Sequence, residues 1–114
     1  MNDLEKRLFE FAIRTIKFMR TLPNSTEYKV IKYQLAKSPT SSGANYEEAQ
    51  AGSSKADFSN KTRIALREMR ESNYWLRIIN RILENKENEL LFLINESNEL
   101  KKILGSIVQK TRSK

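Results

Sequence analysis

Apolar residues recur along this chain at steps of three and four in four separate runs, each closed by a break. Between Asp3 and Leu22, the residues Leu4, Leu8, Phe11, Thr15, Phe18 and Leu22 share one side of a helix, and Phe9, Ala12, Ile13, Ile16 and Met19 widen the arc. Phe9 and Ile13 fall on the far side from Leu4 and Phe11, which makes them candidates for contact with another subunit. Pro23-Asn24-Ser25 ends the run, and Asn24 or Ser25 is suited to accept a bond from the first-turn amides of the next helix.

The second run, about residues 26–51, changes character along its length. Its inward stripe is Ile31, Leu35, Ser38, Ser42, Asn45 and Ala49, so large apolar side chains give way to small and polar ones after Leu35. Such a stripe permits close helix approach and needs its polar groups bonded. Beside it Gln34, Ser41, Asn45 and Glu48 form a polar row, suited either to burial with hydrogen bonds or to a solvated bundle edge. Pro39 lacks an amide hydrogen and crowds the carbonyl of Leu35, which predicts a bend near Lys37. The segment Pro39 to Gly43 can also be read as a loop, but the stripe continues through Asn45 and Ala49 and favours a kinked helix.

Ala51-Gly52-Ser53-Ser54 is the next break, with Ser53 or Ser54 as a cap. The third run, about 54–84, places Phe58, Ala65, Met69, Ser72, Trp75, Leu76, Ile79 and Leu83 on a core face. Its opposite side carries Arg63, Arg67, Arg70, Arg77 and Arg81, with Tyr74 among them. A polar turn at Asn85 to Asn88 makes the fourth helix, about 88–111, an antiparallel neighbour of the third. There Leu90, Leu93, Ile94, Ser97, Leu100, Leu104, Ile107 and Val108 form the apolar stripe. Gly105 is a candidate close contact, and Gln109 to Lys114 a frayed basic tail. The pattern predicts one all-α domain spanning residues 1–114, an antiparallel up-down-up-down four-helix bundle whose second helix is kinked near Pro39.

Composition narrows the chemistry. Of 114 residues, 21 are Lys or Arg and 14 Asp or Glu, a net charge of +7 that favours polyanionic partners. There is no Cys and no His, so disulfides, thiolate sites, the usual zinc ligands and a neutral-pH proton shuttle are excluded. No stretch approaches the roughly 20 apolar residues of a membrane span, and the amino terminus does not read as a secretory signal; the cytoplasm is the expected location.

At Lys37 to Ala49 and Asp57 to Ile78 the chain resembles a bacterial family of four-helix-bundle proteins encoded within intervening sequences of 23S ribosomal RNA genes. The resemblance is carried by Gln34, Ser38, Ser41, Asn45 and Glu48, then Asp57-Phe58, Lys61, Ala65-Leu66-Arg67-Glu68, and Glu71 with Tyr74-Trp75-Leu76. Pro39 and Gly43 depart from the pattern, which favours small helix formers there, and Arg67 replaces the usual Lys. The resemblance implies a bundle that assembles as a ring, a homopentamer being favoured. A more distant similarity to accessory proteins of diversity-generating retroelements implies a basic pentamer that binds nucleic acid and a reverse transcriptase. The family name implies no ribosomal role.

The ridge from Arg63 to Arg81 spans about 27 Å, long enough for several phosphates, and Tyr74 offers a surface on which a base can stack. A plainly solvated face and a subunit contact are the competing readings. Glu48 and Glu68 tend inward, but no nucleophile or substrate-cradling loop accompanies them, so a structural network with Gln34, Ser38, Ser41, Asn45 and Lys61 is expected. Glu68 with Glu71, and Glu96 with Glu99, have carboxylate metal-ligand spacing; without His, solvated carboxylates are expected, with no metal and no cofactor. Trp75 is read as core or subunit packing. The functional expectation is a non-enzymatic oligomeric scaffold that binds RNA or DNA backbone through Arg63, Arg67, Arg70, Tyr74, Arg77 and Arg81. The alternative is a scaffold that recruits an acidic protein, such as a reverse transcriptase, without touching nucleic acid.

Overall fold

The structure, a computed structural model, describes residues 2–52 and 54–112. Its helices are α1 (Asp3–Met19), α2 (Thr26–Ala51), α3 (Lys55–Ile82) and α4 (Asn88–Arg112). Side-chain caps set two of the starts. Asn2 Oδ1 accepts the Glu5 amide at 2.8 Å and Ser54 Oγ accepts the Asp57 amide at 3.0 Å, each satisfying a donor the helix itself leaves open. Ser25 stands at the α2 N-cap without a side-chain bond to the first-turn amides. Ser53, the other candidate cap for α3, lies outside the described residues.

Two ends differ from the sequence reading. α1 stops at Met19 rather than Leu22: the amides of Arg20, Thr21 and Leu22 reach back to the carbonyls of Lys17, Phe18 and Met19, a tightened final turn that leaves Leu22 buried before Pro23. At the other end α4 stays helical to Arg112, so the residues from Gln109 to Arg112 are not frayed; Ser113 and Lys114 lie outside the described residues.

Cross-helix pairs give the topology. Asn2 bonds Gln50, and a Cβ built on Gly43 would stand 3.6 Å from Leu8 Cβ, so α1 and α2 run in opposite directions. Ser42 Oγ donates to the Ala65 carbonyl at 2.7 Å and Ser72 Oγ to Ser38 Oγ at 2.8 Å, which makes α2 and α3 antiparallel. Asn73 reaches Ser97, and Ser59 lies opposite Thr111, setting α4 against α3. Arg7 grips Glu96 and Arg14 grips Glu89, closing α4 onto α1. The result is the up-down-up-down four-helix bundle expected from the sequence, 46 × 22 × 19 Å.

The core runs the length of the bundle through Leu8, Phe11, Leu35, Met69, Leu76, Ile79, Leu93, Leu100 and Leu104. Burial of each contributes about 1.5–3 kcal/mol. Thr15 is fully buried among them, and its hydroxyl has no partner among the described residues. α2 is helical without interruption through Pro39 to Gly43, so the loop reading of that segment is excluded. Pro39 withholds one amide, and the Thr40 hydroxyl lies 2.7 Å from the Ala36 carbonyl and 2.9 Å from that of Lys37, supplying a donor in the same turn.

On α3 the buried face is displaced from the one read in the sequence. Thr62, Leu66 and Asn73 are buried, whereas Phe58, Trp75 and Leu83 sit at its margin. The displacement follows from α4, whose Ser97 and Asn98 take the Asn73 side of the helix.

Gly105 marks no close contact: a Cβ there would meet nothing within 4 Å. Gly105→Ala is therefore expected to stabilise the protein by about 1 kcal/mol through helix propensity alone, measured as a shift in urea midpoint. A loss of stability would reveal a contact at this position. The α1–α4 clasp predicts a pH dependence. The paired guanidinium of Arg14 holds the Glu89 carboxyl below its ordinary value of 4.5. A depressed carboxylate contributes stability above its unfolded pKa and loses it as pH falls through the folded one. Both side chains are partly exposed, so the contribution is about 0.5–1 kcal/mol. The stability difference between the protein and its Arg14→Gln variant is expected to be constant near neutrality and to vanish below the ordinary carboxylate range; a difference that persists in acid would assign the effect to Arg14 stacking on Phe92.

Candidate nucleic-acid interface

The α2–α3 and α3–α4 contacts decide which way the arginines point. With Ala65 and Ser72 held against α2, and Asn73 against α4, the remaining side of α3 faces outward. Arg63, Arg67, Arg70, Arg77 and Arg81 are all exposed on it, with Tyr74 at 50% exposure between them. All six positions singled out in the sequence thus share one surface.

They are not equivalent. Arg63, Arg67 and Arg70 line a shallow groove with Asn60, Ile64 and Leu66. Arg63 makes a long contact of 3.4 Å to the Ser59 hydroxyl. Arg67 lies 3.7 Å from Glu68, while its own side chain is 71% exposed. Arg70 and Arg81 have no ion-pair partner among the described residues. Arg77 is held: its Nε donates to Asn73 Oδ1 at 2.9 Å, and its guanidinium stands 5.9 Å from the centre of the Tyr74 ring. Asn73 is in turn 1% exposed and donates to Ser97 Oγ and Asn98 Oδ1 on α4. A buried amide therefore fixes one arginine from below. The sequence reading missed Asn73 because a lone Asn beside Tyr-Trp-Leu looks solvent-facing; the signal was its place opposite Ser97 once the third and fourth helices are set antiparallel.

Trp75 sits at the edge of the ridge. Its ring meets Tyr74 edge-on at 5.3 Å, and its indole N–H points to Glu71 Oε1 at 3.3 Å.

The expected polar network is only partly joined. Ser38 is buried and accepts from Ser72. Asn45 Nδ2 donates to the Ser41 carbonyl at 2.9 Å and lies 3.2 Å from its hydroxyl, within α2 rather than across to α3. Lys61 lies between Glu48 at 4.0 Å and Asp57 at 3.7 Å on the surface. Gln34 has no partner among the described residues. Glu68 pairs with Arg67 and not with Lys61, Ser41 or Asn45 as expected; its side chain is 12% exposed. The buried hydrogen bonds between α2 and α3 are made instead by serines, because only a short side chain fits where the two backbones come so close. The carboxylates spaced like metal ligands also have other tasks: Glu71 accepts from Trp75, and Glu96 and Glu99 both approach Arg7.

With this geometry in view, the chain can be set beside known proteins. The family of 23S rRNA-intervening sequence proteins matches residues 2–106. The chain belongs to that family. A crystal structure of a protein of unknown function from the S23 ribosomal protein family of Bacteroides thetaiotaomicron is similar to it at 36% identity, with a TM-score of 0.82, over 92% of this chain and 97% of that one. No protein of curated function matches the chain. The span shared with the family takes in the whole arginine ridge and both serine contacts between α2 and α3.

Asn73→Ala removes one buried and one partly buried bond to α4 and frees Arg77. It is expected to cost about 1–3 kcal/mol in chemical denaturation. A change within about 0.5 kcal/mol would mean that Asn73 is not what joins α3 to α4.

Proposed function

We propose that this chain is a non-enzymatic scaffold that binds RNA or DNA backbone, with low sequence specificity, through the exposed arginines of α3. One contrast carries the reading. On the α1–α4 side, Arg7 and Arg14 are each neutralised by a bidentate carboxylate at 2.6–3.0 Å. On α3, five arginines stand in one exposed row, with a single ion pair, between Arg67 and Glu68, among the described residues. A row of exposed guanidinium forks with little acidic pairing suits phosphate oxygens, and the net charge of +7 favours their approach. Backbone pairing of this kind reads little sequence.

The scaffold acts as an oligomer, a homopentameric ring being favoured by the family resemblance, and works in the cytoplasm; no helix among the described residues is long and apolar enough to cross a membrane. The surface best suited to self-association is the apolar groove between α1 and α2, lined by Leu8, Phe9, Ala12, Ile13, Pro39 and Gly43. Phe9 is nearly half exposed there, in keeping with its place outside the main stripe of α1. A ring would repeat the arginine ridge and strengthen weak contacts by avidity.

A second reading has its own support. Ile64 and Leu66 give the groove beside Arg63, Arg67 and Arg70 an apolar component, which suits an acidic protein partner as well as a strand of phosphates.

Fluorescence anisotropy over a salt series, on protein whose mass is set by light scattering, separates the two. Phosphate pairing is expected to weaken with a slope near 0.7–0.9 per contact, and Arg70→Glu with Arg77→Glu is expected to abolish it while helicity and oligomer mass are kept. No binding at low salt by an intact oligomer would favour the protein scaffold.

A further inference from the structure

Tyr74 and its surroundings go beyond a row of charges. We infer that the α3 ridge takes single-stranded nucleic acid in preference to duplex, with one unpaired base stacked on Tyr74 and phosphates on the arginines to either side. The inference rests on the phosphate-binding reading above and names the class of strand.

Three observations carry it. First, Tyr74 is a half-exposed aromatic ring in the middle of the charged row, with Arg70 before it and Arg77 after it. Every base offers a flat face to such a ring, and arginine adds its own attraction to a stacked pair. Second, the ring is braced. Trp75 meets it edge-on at 5.3 Å, and Trp75 is itself tied to Glu71. On the other flank Arg77 is held by Asn73, whose amide is buried and bonded to α4. A platform whose supports are already in place loses little freedom when a base lands on it. Third, the ridge runs along the outside of a bundle 22 × 19 Å in cross-section, open to a flexible strand over its whole length. In a duplex the base faces are already stacked on one another, so the arginines would meet phosphates there but Tyr74 would find no base face. A single strand can splay one base onto the ring while its backbone follows the guanidinium groups of Arg63, Arg67 and Arg70. Stacking and phosphate pairing are common to RNA and DNA strands, so the two share this chemistry.

The test uses the full chain, labelled single strands of RNA and DNA of one mixed sequence, and the DNA duplex of that sequence. Anisotropy and Trp75 fluorescence are read together; Trp75 is the only tryptophan and touches Tyr74. Single strands are expected to bind about tenfold tighter than duplex and to quench Trp75, with RNA and DNA within about threefold of each other. Tyr74→Ala is expected to lose about tenfold on single strands and nothing on duplex, and Tyr74→Phe to bind as the parent does. Equal affinity for duplex, or a Tyr74→Ala variant that binds single strands undiminished, would overturn the inference and leave the arginine reading standing. A strong preference for RNA over DNA would overturn stacking as the discriminating contact and place recognition on the 2′-hydroxyl. No binding of any probe at low salt would remove the arginine reading, and this inference with it.

Discussion

The close packing of α2 on α3 is the constraint on which the rest of this bundle depends. At Ser38 and Ser42 the face of α2 toward α3 carries small residues, and the two serine hydroxyls take part in bonds across it, one to a backbone carbonyl. A carbonyl in the middle of a helix is reached from a neighbouring helix only where the backbones nearly touch. That contact sets the rotation of α3 about its own axis. Once Ala65 and Ser72 face α2, Asn73 meets α4, and the arginines are left on the exposed side. Substitution of a larger side chain at Ser38 or Ser42 would therefore be felt first as a rotation of the charged face.

Charge is divided between two sides of the molecule by the same geometry. α1 and α4 are joined at their margins by Arg7 and Arg14, each gripping a carboxylate of α4. Those cations are consumed in holding the bundle shut. Among the described residues the arginines of α3 face no comparable row of acids: of the carboxylates of that helix, Asp57 lies 3.7 Å from Lys61, and Glu68 and Glu71 are engaged by Arg67 and Trp75. Five exposed arginines thereby stand in one row that no such clasp neutralises. This asymmetry, more than the total charge, is what makes a polyanionic ligand the best-supported reading.

How far the site could be read in advance depended on the kind of signal. Arg63, Arg67, Arg70, Tyr74, Arg77 and Arg81 were legible because helical periodicity places residues on a face without reference to any neighbour. Their differences were not. That Arg77 is held while Arg70 is free depends on Asn73, and the role of Asn73 depends on Ser97, in a different helix. Glu68 looked like a member of a network with Lys61 on its own helix and Asn45 on α2, since an inward-tending carboxylate needs polar partners; the distances instead give Glu68 to Arg67 and Lys61 to Asp57 and Glu48. Polar spacing along one helix says which residues could meet, and only the separation between helices says which do.

The amino-acid pattern alone determined that there are four helices, where they break, that short connections make them antiparallel, and that α3 has an arginine side. These are local or nearest-neighbour properties, written in periodicity, caps and turn lengths. The tertiary structure decided that residues 39–43 stay helical, that the core of α3 is turned toward Thr62, Leu66 and Asn73, that Gly105 meets nothing, and that Arg7 and Arg14 are spent on Glu96 and Glu89. Each of these depends on the distance and rotation between two helices distant in sequence, and such quantities are set by the joint packing of many side chains rather than by any one segment.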